Sequence, residues 1–199
     1  MNVVLIDSGG ANIGSVRYAF ERLGVDARLT ADHDAIRAAD RVILPGVGAA
    51  QAGMARLREL NLVELIRGLR QPLLGICLGM QLLFDSSEEG DVECLGLIPG
   101  RVGKMVGGPG VRVPHMGWNT LLRCREDALL DGVEDGEHAY FVHGYAAPVS
   151  EHTLATSEHG ERFAAVVRRE RCWGAQFHPE RSASVGARLL QNFLSERLA

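Results

Sequence analysis

Residues 72–84 read PLLGICLGMQLLF, and this stretch indicates how the chain folds. The apolar residues before Cys77 favour a buried strand, and those after it predict a helix that continues through Phe84. Gly75 and Gly79 flank the cysteine two residues away on each side. Glycines at these offsets let the strand and the helix pass closely, so the pattern predicts a sharp strand-to-helix turn.

A cysteine in such a turn is well placed to act as a nucleophile. The sulfur lies at a helix N-terminus, where backbone N–H groups and the helix dipole favour a thiolate. The N–H of Leu78 can stabilise an oxyanion formed by attack of that thiolate. A buried structural cysteine in a glycine-rich loop would give the same pattern, so this motif alone leaves both interpretations open.

Strand and helix patterns alternate through the first half of the chain. The predicted strands are 3–6, 25–29, 42–44 and 73–76, and the predicted helices are 12–23, a segment around 35–39, and 49–69 with a break near Asn61. This alternation predicts an α/β fold with a doubly wound, mostly parallel sheet and flanking helices.

The second half of the chain has a different pattern. Residues 96–117 are rich in glycine, proline and valine, which predicts short antiparallel strands and turns. Further strands are expected at 140–142, 164–167 and 173–177, before an amphipathic helix at 184–198. We therefore expect an antiparallel part beside the parallel sheet, within a single domain that covers residues 1–199.

Composition excludes several classes of function. The 199 residues are 46% hydrophobic and 23% charged, with a formal net charge of −4, so neither a nucleic-acid surface nor a membrane surface is expected. Neither a secretory signal nor a membrane span is recognisable, which predicts a cytoplasmic protein. The four cysteines form no C-x-x-C pair, so we expect free thiols and no metal site. Three of them are predicted to be small buried hydrophobes: Cys94, Cys124 and Cys172.

A candidate base follows the last predicted strand. In QFHPE, residues 176–180, Pro179 biases His178 towards extended backbone, in which residues two apart point the same way. His178 and Glu180 can therefore approach one site together, as a base and the carboxylate that orients it. A solvated surface turn is the alternative for this motif taken alone. Four other histidines lie in polar stretches and are predicted to be exposed and without a role: His33, His138, His152 and His159.

Taken together, these motifs resemble the class I, triad-type glutamine amidotransferases. The resemblance spans nearly the whole chain and is greatest to the glutaminase subunits of imidazole glycerol phosphate synthase. Four segments carry it: PGVG at 45–48, GICLGMQLLF at 75–84, PHMGWN at 114–119 and FHPE at 177–180. The resemblance implies a flavodoxin-like fold and glutamine hydrolysis through a Cys77 thioester, with no cofactor. The ammonia would pass to a cyclase subunit that makes imidazole glycerol phosphate and AICAR in histidine biosynthesis.

The resemblance also implies a role for each matching residue. Cys77 would be the nucleophile, His178 its base and Glu180 the partner of that base. The oxyanion would be held by Gly46, Val47, Gly48 and Leu78. Glutamine would be bound by Gln81 and Glu89 with backbone near His143 and Tyr145. The cyclase would be faced by Asn12, Arg112, His115, Met116, Trp118, Tyr140 and Arg181.

Gly144 departs from the family pattern, as do Ala11 in place of a glycine and Arg181 in place of a lysine, and three other functions remain open. Gly144 stands where the family usually has serine or threonine, so one side-chain contact to glutamine is missing. The chain could be the glutaminase of another complex, such as pyridoxal phosphate synthase, although the glycine-glycine-glutamate segment of that group is absent. A cysteine peptidase or esterase would explain Cys77 and His178 but not Gln81 and Glu89. A nucleotide-binding module would use residues 9–14, which lack the lysine of a phosphate-binding loop.

Overall fold

A central eight-stranded sheet organises the protein. The computed structural model describes residues 1–9 and 13–195. The strands of this sheet follow the spatial order β2-β1-β3-β4-β14-β13-β12-β9. Their bounds are β1 Val3–Ile6, β2 Ala27–Thr30, β3 Arg41–Gly46, β4 Leu73–Cys77, β9 Leu122–Arg123, β12 Thr153–His159, β13 Glu161–Arg169 and β14 Cys172–Ala175.

The larger part of this sheet is parallel and the rest is antiparallel. Strands β2, β1, β3, β4 and β14 pair in parallel, and β14, β13, β12 and β9 pair antiparallel. The parallel register places Gly46 beside Cys77. Because parallel strands end at the same edge, the turn after β4 and the loop after β3 open onto one site.

Within the described residues, six α-helices cover the two faces of the sheet. They are α1 Ile13–Arg22, α2 His33–Arg37, α3 Ala50–Glu59, α4 Leu62–Arg67, α5 Leu78–Leu82 and α6 Ala183–Ser195. Apolar side chains of α1 and α6 pack with Val3 and Leu5 on one face, and those of α2 to α5 pack with Val4 and Ile6 on the other. The two cores confirm the doubly wound arrangement, because alternate residues of one strand enter opposite layers. Over the described ranges, no helix has the length and apolarity that crossing a bilayer requires.

Two small sheets flank the carboxyl edge of the parallel strands. Strands β8, His115–Thr120, and β10, His138–His143, form an antiparallel pair. The second small sheet has the order β11-β7-β5-β6 and contains β5 Phe84–Ser87, β6 Val92–Glu93, β7 Ile98–Lys104 and β11 Tyr145–Ala146. These strands supply residues 142–145 to the site described below.

The structure confirms most of the predicted elements and corrects others. The helical stretch 49–69 is broken at Asn61, whose φ of 57° ends regular helix between α3 and α4. The helix after Cys77 ends at Leu82, and Phe84 begins strand β5, so that prediction was too long. Residues 96–117 are only partly antiparallel, because β7 pairs in parallel with β5. Residues 10–12, with the start of the predicted helix 12–23, and residues 196–198 of the predicted last helix lie outside the described residues.

Two predictions of burial are wrong. Cys124 is exposed, because it follows the short edge strand β9 and does not point into a core. His33, His152 and His159 are half-buried rather than exposed. The ring of His159 stacks on that of His115, with 4.2 Å between centroids, so this histidine is part of a packed cluster.

Candidate active site

The turn at Cys77 has the strained backbone that its glycines predict. Cys77 has φ 53° and ψ −110°, a conformation that side-chain-bearing residues rarely adopt. A Cβ on Gly75 would lie 2.6 Å from the carbonyl oxygen of Gly79, and one on Gly79 would lie 1.8 Å from that of Leu44. No side chain larger than hydrogen fits at either position. The backbone is thus held in a shape that presents the sulfur at the start of α5.

The segment after β14 brings His178 and Glu180 together. Nδ1 of His178 lies 2.8 Å from Oε1 of Glu180, and both side chains are buried. The backbone N–H of His178 donates to the Tyr140 carbonyl at 2.9 Å. The hydroxyl of Ser182 donates to the His178 carbonyl at 2.7 Å and accepts from the Tyr140 N–H at 2.9 Å. Strand β10 therefore fixes the position of the histidine.

The environment of His178 favours its charged form. Burial by itself acts to lower the pKa of His178. Hydrogen bonds to Cys77 and Glu180, together with the negative charges of these groups, outweigh burial and raise the pKa to about 10. Because Glu180 occupies Nδ1, Nε2 is the nitrogen that faces the thiol. The three side chains can thus form a thiolate, an imidazolium and a carboxylate in line.

A cavity of about 470 Å³ opens over Cys77 and His178, within the usual size range of small-molecule sites. Two polar side chains that were predicted to bind substrate, Gln81 and Glu89, line it. The Gln81 amide donates to the Tyr145 carbonyl at 2.8 Å, and one Glu89 oxygen accepts from the N–H of Ala50 at 2.7 Å. The cavity is further lined by Ser15, Val47, Gly48, Leu78, Val142, His143, Gly144, Tyr145 and Arg181.

The loop after β3 forms one wall of the cavity. A Cβ on Gly46 would lie 3.0 Å from the backbone nitrogen of Gly79, so this loop packs directly on the nucleophile turn. Gly48 has φ +95°, which side-chain-bearing residues rarely adopt. Three of the four predicted oxyanion residues line the cavity, namely Val47, Gly48 and Leu78, and Gly46 lies behind them.

Comparison with known proteins agrees with this geometry. Residues 4–196 match the family model described as glutamine amidotransferase class-I. The chain belongs to this family. It is 63% identical over 193 residues to "Imidazole glycerol phosphate synthase subunit HisH" of Xanthomonas euvesicatoria, covering 97% of this chain and 96% of that protein. The protein of the same name from Xylella fastidiosa is 58% identical over 192 residues, covering 96% of both chains.

Solved structures share the amidotransferase fold at low sequence identity. A putative GMP synthase protein of Thermoplasma acidophilum has a TM-score of 0.77 and 18% identity, covering 98% of this chain and 92% of that one. A glutamine amidotransferase has a TM-score of 0.75 and 22% identity, covering 98% of each chain. At these identities the likeness concerns the fold alone.

Sequence reasoning missed Gln176 of this amidotransferase. Its side chain is fully buried beside the nucleophile, and its amide lies 3.9 Å from the Cys77 sulfur. Its oxygen accepts from the Gln81 amide at 3.0 Å, which links the side chain predicted to bind substrate to the predicted nucleophile. A glutamine at the end of the otherwise apolar stretch 173–177 was a signal that could have revealed it, because buried polar groups need partners.

Four of the predicted partner-facing residues of this amidotransferase are exposed, and one is buried. Met116 and Trp118 are 64% and 53% exposed, which is unusual for large apolar side chains. Trp118 packs edge-on against Tyr140, with 5.8 Å between ring centroids. Arg112 and Arg181 are also exposed. His115 is buried, and Asn12 lies outside the described residues.

The side chain of His115 is 3% exposed, so it cannot itself form a large contact with a partner. Side chains alternate between the two faces of β8, and this alternation points His115 inward while Met116 and Trp118 point outward. In this structure the side chain of His115 is therefore turned away from the exposed face of β8, and its role towards the cyclase stays a prediction.

Proposed function

We propose that this chain is the glutaminase subunit of an imidazole glycerol phosphate synthase. It hydrolyses L-glutamine to glutamate and ammonia and supplies the ammonia to a cyclase subunit. The observation that carries this proposal is that Cys77 and His178 line one cavity with Gln81 and Glu89, while Glu180 holds His178 from behind at 2.8 Å. Relatives of the chain with up to 63% identity bear the name of this synthase subunit. We further propose that residues 1–199 form one amidotransferase domain.

The first step of the reaction is attack by the Cys77 thiolate on the side-chain amide carbon of glutamine. The imidazolium of His178 then gives its Nε2 proton to the departing nitrogen, which leaves as ammonia. Glu180 keeps the ring oriented and stabilises its charge while the proton is held on Nε2. The product of this half-reaction is a glutamyl thioester on Cys77.

Hydrolysis of the thioester completes the cycle. His178, now neutral at Nε2, takes a proton from water, and the resulting hydroxide attacks the thioester carbon. The sulfur leaves as a thiolate, and glutamate is released. Each tetrahedral intermediate carries a negative oxygen, for which the N–H of Leu78 and a peptide N–H of loop 46–48 are the proposed donors.

Recognition of the amino acid end is assigned to Glu89, Gln81 and the backbone at 143–145. Glu89 supplies a carboxylate for the α-ammonium group, and Gln81 supplies an amide near the α-carboxylate. Backbone at 143–145 completes this subsite. At Gly144 no side chain reaches the substrate, which leaves this subsite more open than in relatives with serine or threonine there.

The proposed cyclase-binding face is the exposed side of β8 and its surroundings. Met116 and Trp118 form its apolar centre, next to Tyr140, with Arg112 and Arg181 as charged neighbours. A large aromatic ring surrounded by polar groups is typical of an interface anchor.

We expect Trp118→Ala to reduce stimulation by the cyclase by about tenfold or more, with little change in the free energy of unfolding. A titration of glutaminase turnover with cyclase measures this, and an unchanged titration would remove Trp118 from the interface.

Loop 45–48 is the proposed gate for turnover. Ammonia released into water becomes ammonium and is lost as a nucleophile, so turnover without a partner wastes glutamine. Glycines at 46 and 48 allow a peptide group to turn and so present or withdraw an oxyanion donor. One such donor contributes roughly 100- to 1000-fold to turnover. A partner that binds the donor-presenting state better would therefore switch the enzyme on.

A coupled assay tests the proposal. The purified chain is combined with the cyclase and its nucleotide substrate, and glutamate and imidazole glycerol phosphate are measured together. We expect low turnover by the chain alone and a rise of about 100-fold or more in the complex. A lack of any glutamine turnover in the complex would refute the assignment. Full turnover by the isolated chain would refute only the gate.

A further inference from the structure

A chain of hydrogen bonds joins strand β8 to the active-site cavity. The amide of Asn119 lies 3.2 Å from Nε2 of His115. Nδ1 of His115 lies 3.0 Å from Nε2 of His143. Nδ1 of His143 in turn lies 2.9 Å from the backbone carbonyl oxygen of Tyr145. His143 and Tyr145 both line the cavity over Cys77.

The donor and the acceptor of each hydrogen bond in this series follow from the groups at its two ends. A carbonyl oxygen only accepts, so Nδ1 of His143 carries its hydrogen, and Nε2 of the neutral ring accepts. Nδ1 of His115 must then donate, which leaves Nε2 of His115 as an acceptor for the Asn119 amide. That amide nitrogen also donates to the Glu158 carbonyl at 2.8 Å, and the Asn119 oxygen accepts from the Thr120 N–H at 2.8 Å.

Both rings are neutral, as this arrangement requires. His115 is 3% and His143 is 6% exposed. Burial is the main cause that lowers the pKa of His115 to about 4 and that of His143 to about 3. A second proton on either ring would set two N–H groups against each other and break the chain.

The Tyr145 carbonyl connects this chain to the nucleophile. The same oxygen accepts from the Gln81 amide at 2.8 Å. Gln81 also donates to Gln176 at 3.0 Å, and the Gln176 amide approaches the Cys77 sulfur at 3.9 Å. An unbroken series of polar contacts therefore runs from β8 to the reacting sulfur.

We propose that His115 and His143 are positioning residues, which hold the backbone at 143–145 in the shape that receives the amino acid end of glutamine. The inference rests on the proposed function, because it needs glutamine as the substrate. His115 pairs with His143 across the β8–β10 ladder, and its neighbour Met116 lies on the exposed face of β8. A protein that binds this face holds the same strand that orients the His143 ring. Binding of a partner to β8 and binding of glutamine at 143–145 thus both involve the paired strands β8 and β10.

Two substitutions at His115 separate positioning from packing. His115→Phe keeps an aromatic ring against Phe141 and His159 but removes the donor to His143. His115→Asn loses the ring but places an amide N–H near the former Nδ1 position. The Phe variant therefore keeps the ring and loses the hydrogen bond, whereas the Asn variant loses the ring and keeps the hydrogen bond.

Steady-state kinetics with L-glutamine, in complex with the cyclase and its nucleotide substrate, measure the difference. We expect His115→Phe to raise KM for glutamine about tenfold with kcat within about twofold, the effect of one lost hydrogen bond. His115→Asn should bring KM back to within about threefold of the unmodified protein. A KM unchanged in the Phe variant, or an Asn variant no better than the Phe variant, would overturn the proposal.

The ring tautomers give a second test that needs no substitution. Nitrogen-15 NMR of the histidine-labelled, unmodified protein distinguishes which ring nitrogen carries hydrogen. At about pH 7.5 we expect both His115 and His143 as Nδ1–H tautomers. An Nε2–H tautomer or a doubly protonated ring at either position would overturn this inference alone. Absence of glutamine turnover by the unmodified complex would overturn the proposed function and this inference with it.

Discussion

Gly186 lies where helix α6 crosses the turn that carries His178 and Glu180, and it offers a strict test of the site geometry. A Cβ atom on Gly186 would lie 1.9 Å from the Pro179 carbonyl oxygen and 2.8 Å from the Pro179 Cα. Both are backbone atoms, so no side chain can rotate out of the way. In Gly186→Ala, either the helix or the turn at Pro179–Arg181 must move by roughly 1 Å to restore an ordinary contact.

The expected loss follows from two opposing effects. Glycine-to-alanine replacement inside a helix normally stabilises it by about 1 kcal/mol. Overpacking against immovable neighbours costs up to roughly 3 kcal/mol, so we expect a net loss of about 2 kcal/mol in the free energy of unfolding. Pro179 separates the base from its orienting carboxylate, and a displacement of about 1 Å can cost about 100-fold in rate. We therefore expect kcat/KM for glutamine to fall by about that factor.

Urea unfolding and glutamine turnover in the cyclase complex measure both effects. Gly14→Ala is the matched control, because Gly14 is an exposed residue of helix α1 and a Cβ there meets no atom within 4 Å. The control should keep full turnover and lose no stability. A Gly186→Ala protein with the stability and turnover of the unmodified chain would refute the close contact between α6 and the His178 turn.

The other predictions concern the nucleophile, the base and the substrate wall. Cys77→Ala should abolish glutamine turnover while cyclase synthesis from free ammonia continues, because the thioester needs a thiolate; the exposed Cys124→Ala is the control and should keep turnover. In single-turnover labelling with a glutamine analogue, His178→Ala should be slower than Glu180→Gln, because losing the carboxylate removes orientation but not the base; the reverse order would contradict the assigned roles. Gly144→Ser should fold normally, since a Cβ there meets no atom closer than 3.8 Å. It should lower KM for glutamine about fivefold, because one new hydrogen bond contributes about 1 kcal/mol. An unchanged KM would show that the hydroxyl does not reach the substrate.

The parallel sheet and the nucleophile turn were predictable because their signals are local. Buried parallel strands appear as short apolar runs, and a turn that admits no Cβ requires glycine at fixed offsets from Cys77. The QFHPE motif likewise places His178 and Glu180 two residues apart, and the prediction that they meet rested on an extended backbone. In the structure His178 and Glu180 are joined at 2.8 Å, which confirms their proximity, but Pro179–Arg181 form a 3₁₀ turn instead of extended backbone.

Other features depended on which strands pair, and the sequence carries little sign of this. The end of the helix after Cys77 was misplaced because Phe84 pairs with Ile98, a contact between segments 14 residues apart. The exposure of Cys124 follows from its place after an edge strand, and the half-buried state of His159 follows from its stacking on His115. Local polarity, on which the predictions rested, does not report such contacts.

The sequence by itself determined the fold class and predicted the nucleophile and its base, since each depends on residue types at short, fixed spacing. Only the tertiary structure decided that Gln176 touches the nucleophile, that Gly186 supports the base, and that His115 turns inward to His143. Gln176 lies 99 residues from Cys77 along the chain, and His115 lies 28 from His143. Strand register brings these side chains within hydrogen-bond distance, and register is set by the packing of the whole sheet rather than by neighbouring residues.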